Sequence, residues 1–570
     1  MIKNLLIAFI SCMGFLNWSY SQNVIDREFI QNKIPKEQVY LHINSSLLFS
    51  GEKLLYKFYS INPDSKKLSN LSKTGWVVLV NSDRDEVFHH KLNLDHGQAY
   101  SDFFIPSDMP SGAYKILGYT SWMQNAEKNY FEQDIHIFNP YQEVTKSLIF
   151  NDKTETITQN IKTQLSNKLS LKLNKNSFTS REELVLSLEN TKEIKGDFSI
   201  SVRRIDDFDK PSRIESTNFS ELYNNIVWNF SDTLILPEIR GSLFRGKISR
   251  KDKEILETNN LIVSFPGEES QLNIVSVDEN DEFNFTINNE VTVDEILFQL
   301  VDYNKNDFSV KLYKGIHPEY SKLNFDNQPI VRTNLKDYIL ERSVNNQIEN
   351  AYSANKADQI NIPKHKGYFF QGELLKFNLD EYKRFPSVTE TFVEIIKYGW
   401  IEKNKDDTYS IFVRNKNYNG QFTLPALLII DGVVIQNHNK LVSFNAERIQ
   451  SIGLLTSKIF LGPKIFQGVV TIETKEGDFP EEFKEAYIKS ANIITAQNPK
   501  QYYSPNYKKE DLERIPDYRY QLWWNPEVNF KKNESLRFFT SDLVGKFEIN
   551  LEGFTLNGEP ISISKVFQVE

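Results

Sequence analysis

Four short segments rich in apolar and aromatic residues decide the fold: residues 38–43 (QVYLHI), 53–59 (KLLYKFY), 76–80 (WVVLV) and 113–119 (AYKILGY). The first of them alternates between polar and apolar residues. Each is rich in Tyr, Val, Leu or Ile, and turn residues such as 110–112 (PSG) separate them. Short strands of this composition and spacing are typical of β-sandwiches. We therefore predict a first β-sandwich over residues 22–140.

Two further groups of such segments are each too short to close a sandwich alone. One contains residues 169–173 (LSLKL) and 197–202 (DFSISV), and the other contains residues 546–551 (KFEINL) near the end of the chain. Because three or four strands cannot complete two packed sheets, we hypothesise one discontinuous sandwich built from residues 166–230 and 515–570. The intervening chain would be an insertion in an exposed loop.

The inserted region holds a third predicted sandwich over residues 235–314 and a small α/β domain over residues 376–480. Residues 425–431 (PALLIID) are continuously apolar, which predicts a strand buried on both faces. A linker over residues 315–375, with a helix over 333–354, precedes the α/β domain, and a polar linker over 481–514 follows it. The predicted fold class is mainly β, with tandem sandwiches, one α/β domain and a connector helix.

Charge and cysteine content exclude several classes of protein. The chain has 570 residues, with 67 Lys and Arg, 76 Asp and Glu and a net charge of −9, so we expect no nucleic-acid partner. The single Cys, Cys12, excludes structural disulfides and zinc sites built from several thiolates.

Residues 1–21 have the organisation of a secretory signal: Lys3, an apolar run over 5–15, and small residues at Ser19 and Ser21. We expect cleavage, export, and a place in the periplasm or at the outer membrane. A membrane anchor and lipidation of Cys12 are the alternatives. After residue 21 no apolar run is long enough for a spanning helix, so we expect no transmembrane segment in the mature chain.

Two parts of the chain resemble macroglobulin domains. A domain of the MG2 type, in the variant found in large exported envelope proteins of Bacteroidota, is similar to residues 36–42 (KEQVYLH), 50–54 (SGEKL) and 110–114 (PSGAY). A later macroglobulin-type domain of the same proteins resembles residues 523–526 (WWNP) and 539–542 (FTSD).

The inserted region resembles two other families. A carboxypeptidase-regulatory-like sandwich is similar to residues 239–241 (IRG), 263–267 (VSFPG) and 281–283 (DEF). The plug domain of TonB-dependent receptors resembles residues 428–433 (LIIDGV) and 468–475 (GVVTIETK).

These resemblances come with two departures. Fewer than 100 residues follow Glu476, which is too little for a barrel of eight or more strands, so we expect no transmembrane barrel. Many protease-trapping macroglobulins carry a thioester built from a Cys, which the mature chain would lack. We therefore expect no covalent protease trap.

Four residues are candidates for an interaction site. Asp431 and Gly432 form either a contact loop or a tight βα turn, in which Gly tolerates positive φ. Trp523 and Trp524 either stack on a glycan or place one ring in the core and the other at the surface, as neighbouring residues in a strand usually do.

No motif for catalysis or for phosphate binding is present, so we expect no catalytic residues, no cofactor and no metal.

The leading hypothesis is a non-enzymatic, exported cell-envelope interaction protein. Its partner would be an outer-membrane transport or assembly complex, including a TonB-linked one. The alternative hypothesis is a glycan- or peptidoglycan-binding envelope protein that uses exposed aromatic residues such as Trp523.

Overall fold

The computed structural model of the chain describes residues 34–142, 149–151, 169–190, 194–223, 228, 234–250, 259–266, 271–287, 293–301, 308–361, 372–416, 423–479, 485–509, 511–528 and 535–570. The predicted signal peptide, with Cys12, lies outside the described residues. None of the helices in these ranges is both long enough and apolar enough to cross a bilayer.

The first sandwich is formed by eight strands that follow one another in the chain. They are β1 (Gln38–Ile43), β2 (Leu47–Phe49), β3 (Lys53–Ile61), β4 (Thr74–Asn81), β5 (Glu86–Asn93), β6 (Gln98–Phe104), β7 (Gly112–Tyr119) and β8 (Phe131–Phe138). The two sheets have the orders β1-β3-β6 and β2-β8-β7-β4-β5. Every residue of β1 is buried, although one face of a sandwich sheet usually meets solvent. The outer face of β1 must therefore be covered by another domain.

The next segment supplies half of a second sandwich. Its elements are β9 (Ile149–Asn151), β10 (Leu169–Leu173), β11 (Ser177–Phe178), β12 (Glu183–Asn190), β13 (Gly196–Arg204) and helix α1 (Ser216–Tyr223). The alternating burial of β10 fits one sheet face on a core and the other towards solvent.

The third sandwich follows, with strands β14 (Ser242–Arg250), β15 (Asn260–Phe265), β16 (Gln271–Ser276), β17 (Glu282–Ile287), β18 (Glu295–Leu300) and β19 (Phe308–Leu312). One of its sheets has the order β17-β14-β19. After it come β20 (Ile330–Arg332), which pairs with β9 in parallel, and helix α2 (Lys336–Ala351), which lies within the predicted range 333–354.

The short strand β21 (Gln359–Ile360) lies in the predicted linker before the α/β domain. The α/β domain comprises β22 (Leu375–Asn378), α3 (Val388–Glu394), β23 (Gly399–Lys403), β24 (Tyr409–Val413), β25 (Leu427–Ile430), β26 (Val433–Val434), α4 (Asn439–Val442), β27 (Ile449–Leu461) and β28 (Lys464–Thr474). Its main sheet has the order β22-β27-β28-β25-β26. As predicted, β25 is buried along its whole length. After Asn445 the chain forms a 3-10 turn over Ala446–Arg448, and β27 and β28 form one long hairpin.

The predicted polar linker contributes strands of its own. It contains β29 (Lys489–Asn492), the edge strand of the third sandwich in the order β16-β15-β18-β29, and β30 (Lys500–Gln501), which pairs with β21. The short polar sequence of β29 (KSAN) has no strand periodicity, so its pairing depends on β18 rather than on its own pattern.

The chain ends with β31 (Gln521–Val528), β32 (Ser535–Phe539), β33 (Gly545–Thr555) and β34 (Pro560–Val569). These strands join those from residues 169–204 in two sheets, β10-β12-β32 and β11-β34-β33-β13-β31. The hypothesis of a discontinuous second sandwich requires ladder contacts between the two segments, and β12 with β32 and β13 with β33 provide them. The mainly β fold class is confirmed.

Candidate interaction surfaces

Asp431 and Gly432 connect two strands rather than a strand and a helix. Both have positive φ, 46° and 84°, and they join β25 to β26 as a two-residue hairpin turn. The expectation of a βα turn is therefore wrong, because the helix that follows, α4, begins only after β26 has turned back along the sheet.

The Asp431 carboxylate is used inside the domain. It accepts hydrogen bonds from the backbone N of Thr474 at 2.8 Å, from the Thr474 hydroxyl at 2.6 Å and from the backbone N of Phe479 at 3.3 Å. These bonds fix the end of β28 against the turn. Asp431 thus has a structural role that accounts for its presence at this position.

Trp523 and Trp524 point to opposite sides of β31, as expected for neighbours in a strand. The Trp523 ring is half-buried and stacks on Phe538 in the core of the second sandwich, with 5.1 Å between ring centroids. Trp524 is only 4% exposed and packs on His42 of the first sandwich, 5.1 Å between centroids. The Trp524 ring therefore has no free face for a sugar, which removes one of the two residues from the glycan hypothesis.

The second sandwich covers the outer face of β1 with polar side chains. Tyr40, His42 and Tyr59 are all completely buried there. His42 Nδ1 lies 2.6 Å from the Ser199 hydroxyl, Tyr59 OH lies 3.0 Å from it, and Tyr40 OH donates to Glu552 at 3.2 Å. Burial, together with the nearby cations, lowers the pKa of His42 well below its usual value, so the ring is neutral in this interface.

Helix α2 lies at the junction of these two sandwiches, where a buried ion-pair network is found. We call this network the Arg342 cluster; it consists of Glu52, Arg203, Asp206 and Arg342. Arg342 is 0% exposed and donates to the Glu52 carboxylate at 2.8 and 3.0 Å and to Asp206 at 3.4 Å. Arg203 donates to the same carboxylate at 2.7 Å. The cluster therefore ties the first sandwich, the second sandwich and α2 together.

The electrostatics of the cluster follow from its burial. Desolvation alone would raise the pKa of Glu52, but Arg342 and Arg203 outweigh it and hold that pKa at about 2. The Arg342 guanidinium also lies over the rings of Phe49 and Tyr520, at 4.0 and 4.8 Å from their centroids. The opposing charges thus keep both buried groups ionised.

Nothing in the local sequence marks Arg342. The polar residues of α2 have the composition of a solvated helix face, yet Arg342, Ser343, Asn345 and Asn346 are its buried residues, while Leu340 is 63% exposed. The partners of Arg342 lie 290 and 136 residues away in sequence. Only the docking of the sandwiches on each other creates this site.

A third surface, which the sequence also did not single out, lies near the turn of the β27–β28 hairpin. Phe460 and Ile465, the exposed hairpin pair, face each other across the two strands and are 73% and 51% exposed. Their neighbours on the other face, including Ile459, pack with Ile274 of the third sandwich. At the turn, Gly462 approaches the Ile274 carbonyl so closely that a Cβ would lie 1.9 Å from its oxygen. One face of the hairpin is therefore anchored and the other is free.

No metal site was expected, and within the ranges that the structure describes no group of three His, Cys, Asp or Glu side chains is arranged to hold an ion.

Comparison with known proteins gives matches among solved structures only. The Salmonella alpha-2-macroglobulin reacted with methylamine is 9% identical, with 94% of this chain and 39% of that chain covered and a TM-score of 0.23. The Escherichia coli alpha-2-macroglobulin activated by porcine elastase is 9% identical, with 94% of this chain and 44% of that chain covered and a TM-score of 0.24. The trypsin-activated alpha-2-macroglobulin from Escherichia coli is 10% identical, with 94% of this chain and 41% of that chain covered and a TM-score of 0.23. The chain thus spans about two fifths of these proteins. No family model and no curated protein matches it.

Proposed function

We propose that the chain is a non-enzymatic exported interaction protein of the cell envelope that docks on an outer-membrane transport or assembly complex. The resemblance of its segments to MG2-like, carboxypeptidase-regulatory-like and TonB-plug-like domains of exported Bacteroidota proteins motivates the cellular setting. The observation that carries the proposal is the exposed hairpin pair on the plug-like α/β domain.

The exposed hairpin pair has the properties of a contact surface. Single exposed apolar residues are common, but Phe460 and Ile465 adjoin each other across two strands and form one continuous apolar patch. Removal of apolar surface from water contributes about 25 cal/mol for each Å², and the costs of association are subtracted from that gain. The patch therefore favours a protein partner with an apolar groove.

The rest of the fold presents this patch rigidly. The hairpin is held from behind by the apolar cluster that contains Ile274, Leu427 and Ile459. Gln299, completely buried in the third sandwich, donates to the Val434 carbonyl at 2.8 Å and so adds a polar tie between the two domains. Because the hairpin is already anchored, docking costs little conformational entropy there, and the main entropic cost is the loss of translational and rotational freedom.

The test is affinity purification of the tagged full chain from gently solubilised envelopes of the native cell. We expect the wild-type chain to retain an outer-membrane protein complex and the double variant Phe460→Ser, Ile465→Ser to lose it. The matched control is Val393→Ser, since Val393 is 76% exposed on α3 of the same domain. Recovery of the same complex with the double variant would contradict the proposal, as would a chain found free in the medium with no partner after cross-linking.

A further inference from the structure

A cavity of about 250 Å³ lies where the first and third sandwiches meet. Trp76 and Lys91 of the first sandwich, Phe244 and Tyr313 at the third sandwich, and Leu236 and Ile494 from the connecting segments line it, and these six residues define the Lys91 pocket. The other lining side chains are of two kinds: apolar (Ile235, Leu243, Leu312, Ile316 and Ile493) and polar or charged (Ser121, Glu238, Ser242, Arg245, Lys314 and Asn492). It is separate from the Arg342 cluster and from the exposed hairpin pair.

Lys91 places a buried ammonium group in this apolar surrounding. The residue is 4% exposed, and its Nζ donates to the Ile494 carbonyl at 3.3 Å and lies 4.9 Å from the centroid of the Phe244 ring. Throughout the described part of the chain, no carboxylate oxygen lies within 4 Å of this nitrogen. A buried cation without a directly contacting anion is costly, and among the described residues the Ile494 carbonyl is the oxygen to which Lys91 Nζ donates.

Glu238 is the acidic residue of the pocket lining, and other donors occupy it. Its carboxylate accepts from the Ser121 hydroxyl at 2.9 Å and from the backbone N of Leu243 at 3.0 Å. Burial raises the pKa of Glu238, and burial lowers the pKa of Lys91 to about 8. The two groups therefore influence each other through space without forming a close ion pair.

The lining charges favour an anion. Lys91 at the base and the exposed Arg245 and Lys314 at the rim carry three positive charges against the single negative charge of Glu238. A ligand that complements this pocket has one negative head group for Lys91 and an apolar body for the rings of Trp76 and Phe244.

We propose that the Lys91 pocket binds a small apolar carboxylate of the fatty-acid type, whose carboxylate accepts hydrogen bonds from the Lys91 ammonium while its chain packs against Trp76, Phe244 and Leu236. This function goes beyond docking on a protein complex and uses a different surface. The ligand carboxylate gives the Lys91 ammonium a directly contacting anion, which Glu238 is not, and the apolar walls exclude water from the ion pair.

The test is calorimetric titration of the full chain with octanoate and with 1-octanol, which has the same chain length and no charge. We expect octanoate to bind about tenfold or more tightly than octanol, since a charge-assisted hydrogen bond in a buried site is lost with the alcohol. We expect Lys91→Met to remove that preference and Lys311→Met, an exposed lysine of β19, to leave it intact. The preference should also fall at a pH high enough to deprotonate Lys91.

Thermal unfolding of both variants serves as the folding control, because Met fits an apolar site of similar volume. Equal binding of octanoate and octanol, no binding of either, or unchanged octanoate affinity in a folded Lys91→Met variant would overturn the proposal. In the last titration, an acetylated peptide that ends in leucine replaces octanoate and serves as a model of a protein carboxyl terminus. Binding of that peptide without binding of octanoate would overturn the fatty-acid assignment in favour of a protein carboxyl terminus.

Discussion

The Arg342 guanidinium donates two hydrogen bonds to the Glu52 carboxylate, at 2.8 and 3.0 Å, across 290 residues of sequence. Both side chains are buried, one on helix α2 and the other immediately before β3 in the first sandwich. Such a bidentate pair has strict geometry, so it fixes the helix relative to the sandwich.

Arg342→Met should lower the free energy of unfolding by about 3–5 kcal/mol, because it takes one buried cation away from two buried carboxylates, Glu52 and Asp206. Glu52 then keeps Arg203, and Asp206 keeps Lys210 at 3.7 Å. Urea denaturation followed by tryptophan fluorescence measures the change. Lys336→Met, at the exposed start of the same helix, is the control and should change little. Equal stability of Arg342→Met and wild type would show that the cluster does not hold the domains together.

Glu52 should make the chain less stable in acid. Its pKa is about 2 in the folded state against 4.5 for the ordinary group, so its contribution is fully present above pH 4.5 and is lost as the pH falls towards 2. Integrated over that shift the loss is about 3 kcal/mol.

The stability difference between wild type and Glu52→Gln, measured at intervals from pH 6 to pH 2, isolates this contribution. Buried Glu552, whose pKa is raised by burial, acts in the opposite sense and is common to both proteins, so it cancels. A difference that stays constant with pH would contradict the assignment.

Gly462→Ala should detach the β27–β28 hairpin from the third sandwich. Gly462 has φ 53°, and an added Cβ would meet the Ile274 carbonyl oxygen at 1.9 Å. Gly477→Ala is the matched control, since Gly477 has φ 67° but no atom within 4 Å of the Cβ position.

Both substitutions should lower the free energy of unfolding by about 1–2 kcal/mol, because alanine is strained in a left-handed backbone conformation. Only the additional loss in Gly462→Ala measures the close contact with the Ile274 carbonyl. Thermal unfolding and limited proteolysis of the hairpin measure it. Equal losses in the two variants would mean that the hairpin is not anchored at Ile274.

The two tryptophans should differ in their contribution to stability. Trp524→Ala removes a ring enclosed between the first and second sandwiches and should reduce stability by about 3–5 kcal/mol. Trp523→Ala removes a half-buried ring at the sandwich edge and should reduce it less. Denaturant titration of both variants checks this order, and a larger loss for Trp523→Ala would contradict the packing described for Trp524.

Much of the architecture could be predicted because it depends on local periodicity. The alternation in residues 38–43 and the apolar run before Asp431 predict strands that the structure contains at β1 and β25. The strand β29 has no such signal, since its four residues pair only because β18 offers an edge.

The sites were harder to predict because they are created by contacts between distant segments. Asp431 could be identified as a turn residue, but its bonds to Thr474 depend on the return of β28 alongside β25. Arg342 and Lys91 appear in the sequence as ordinary surface charges, and only the packing of whole domains buries them. Phe460 is the opposite case, an apolar residue that stays exposed. Strand periodicity alone does not reveal which face of the hairpin another domain leaves uncovered.

The most direct measurement of the proposed docking is site-specific photo-cross-linking in the native cell. A photoreactive phenylalanine analogue at position 460 samples whatever covers the exposed hairpin pair, and the same analogue at position 393 samples an exposed surface elsewhere on the α/β domain. We expect position 460 to give one defined adduct with an outer-membrane protein and position 393 to give none. No adduct from position 460, or the same adducts from both positions, would contradict the account.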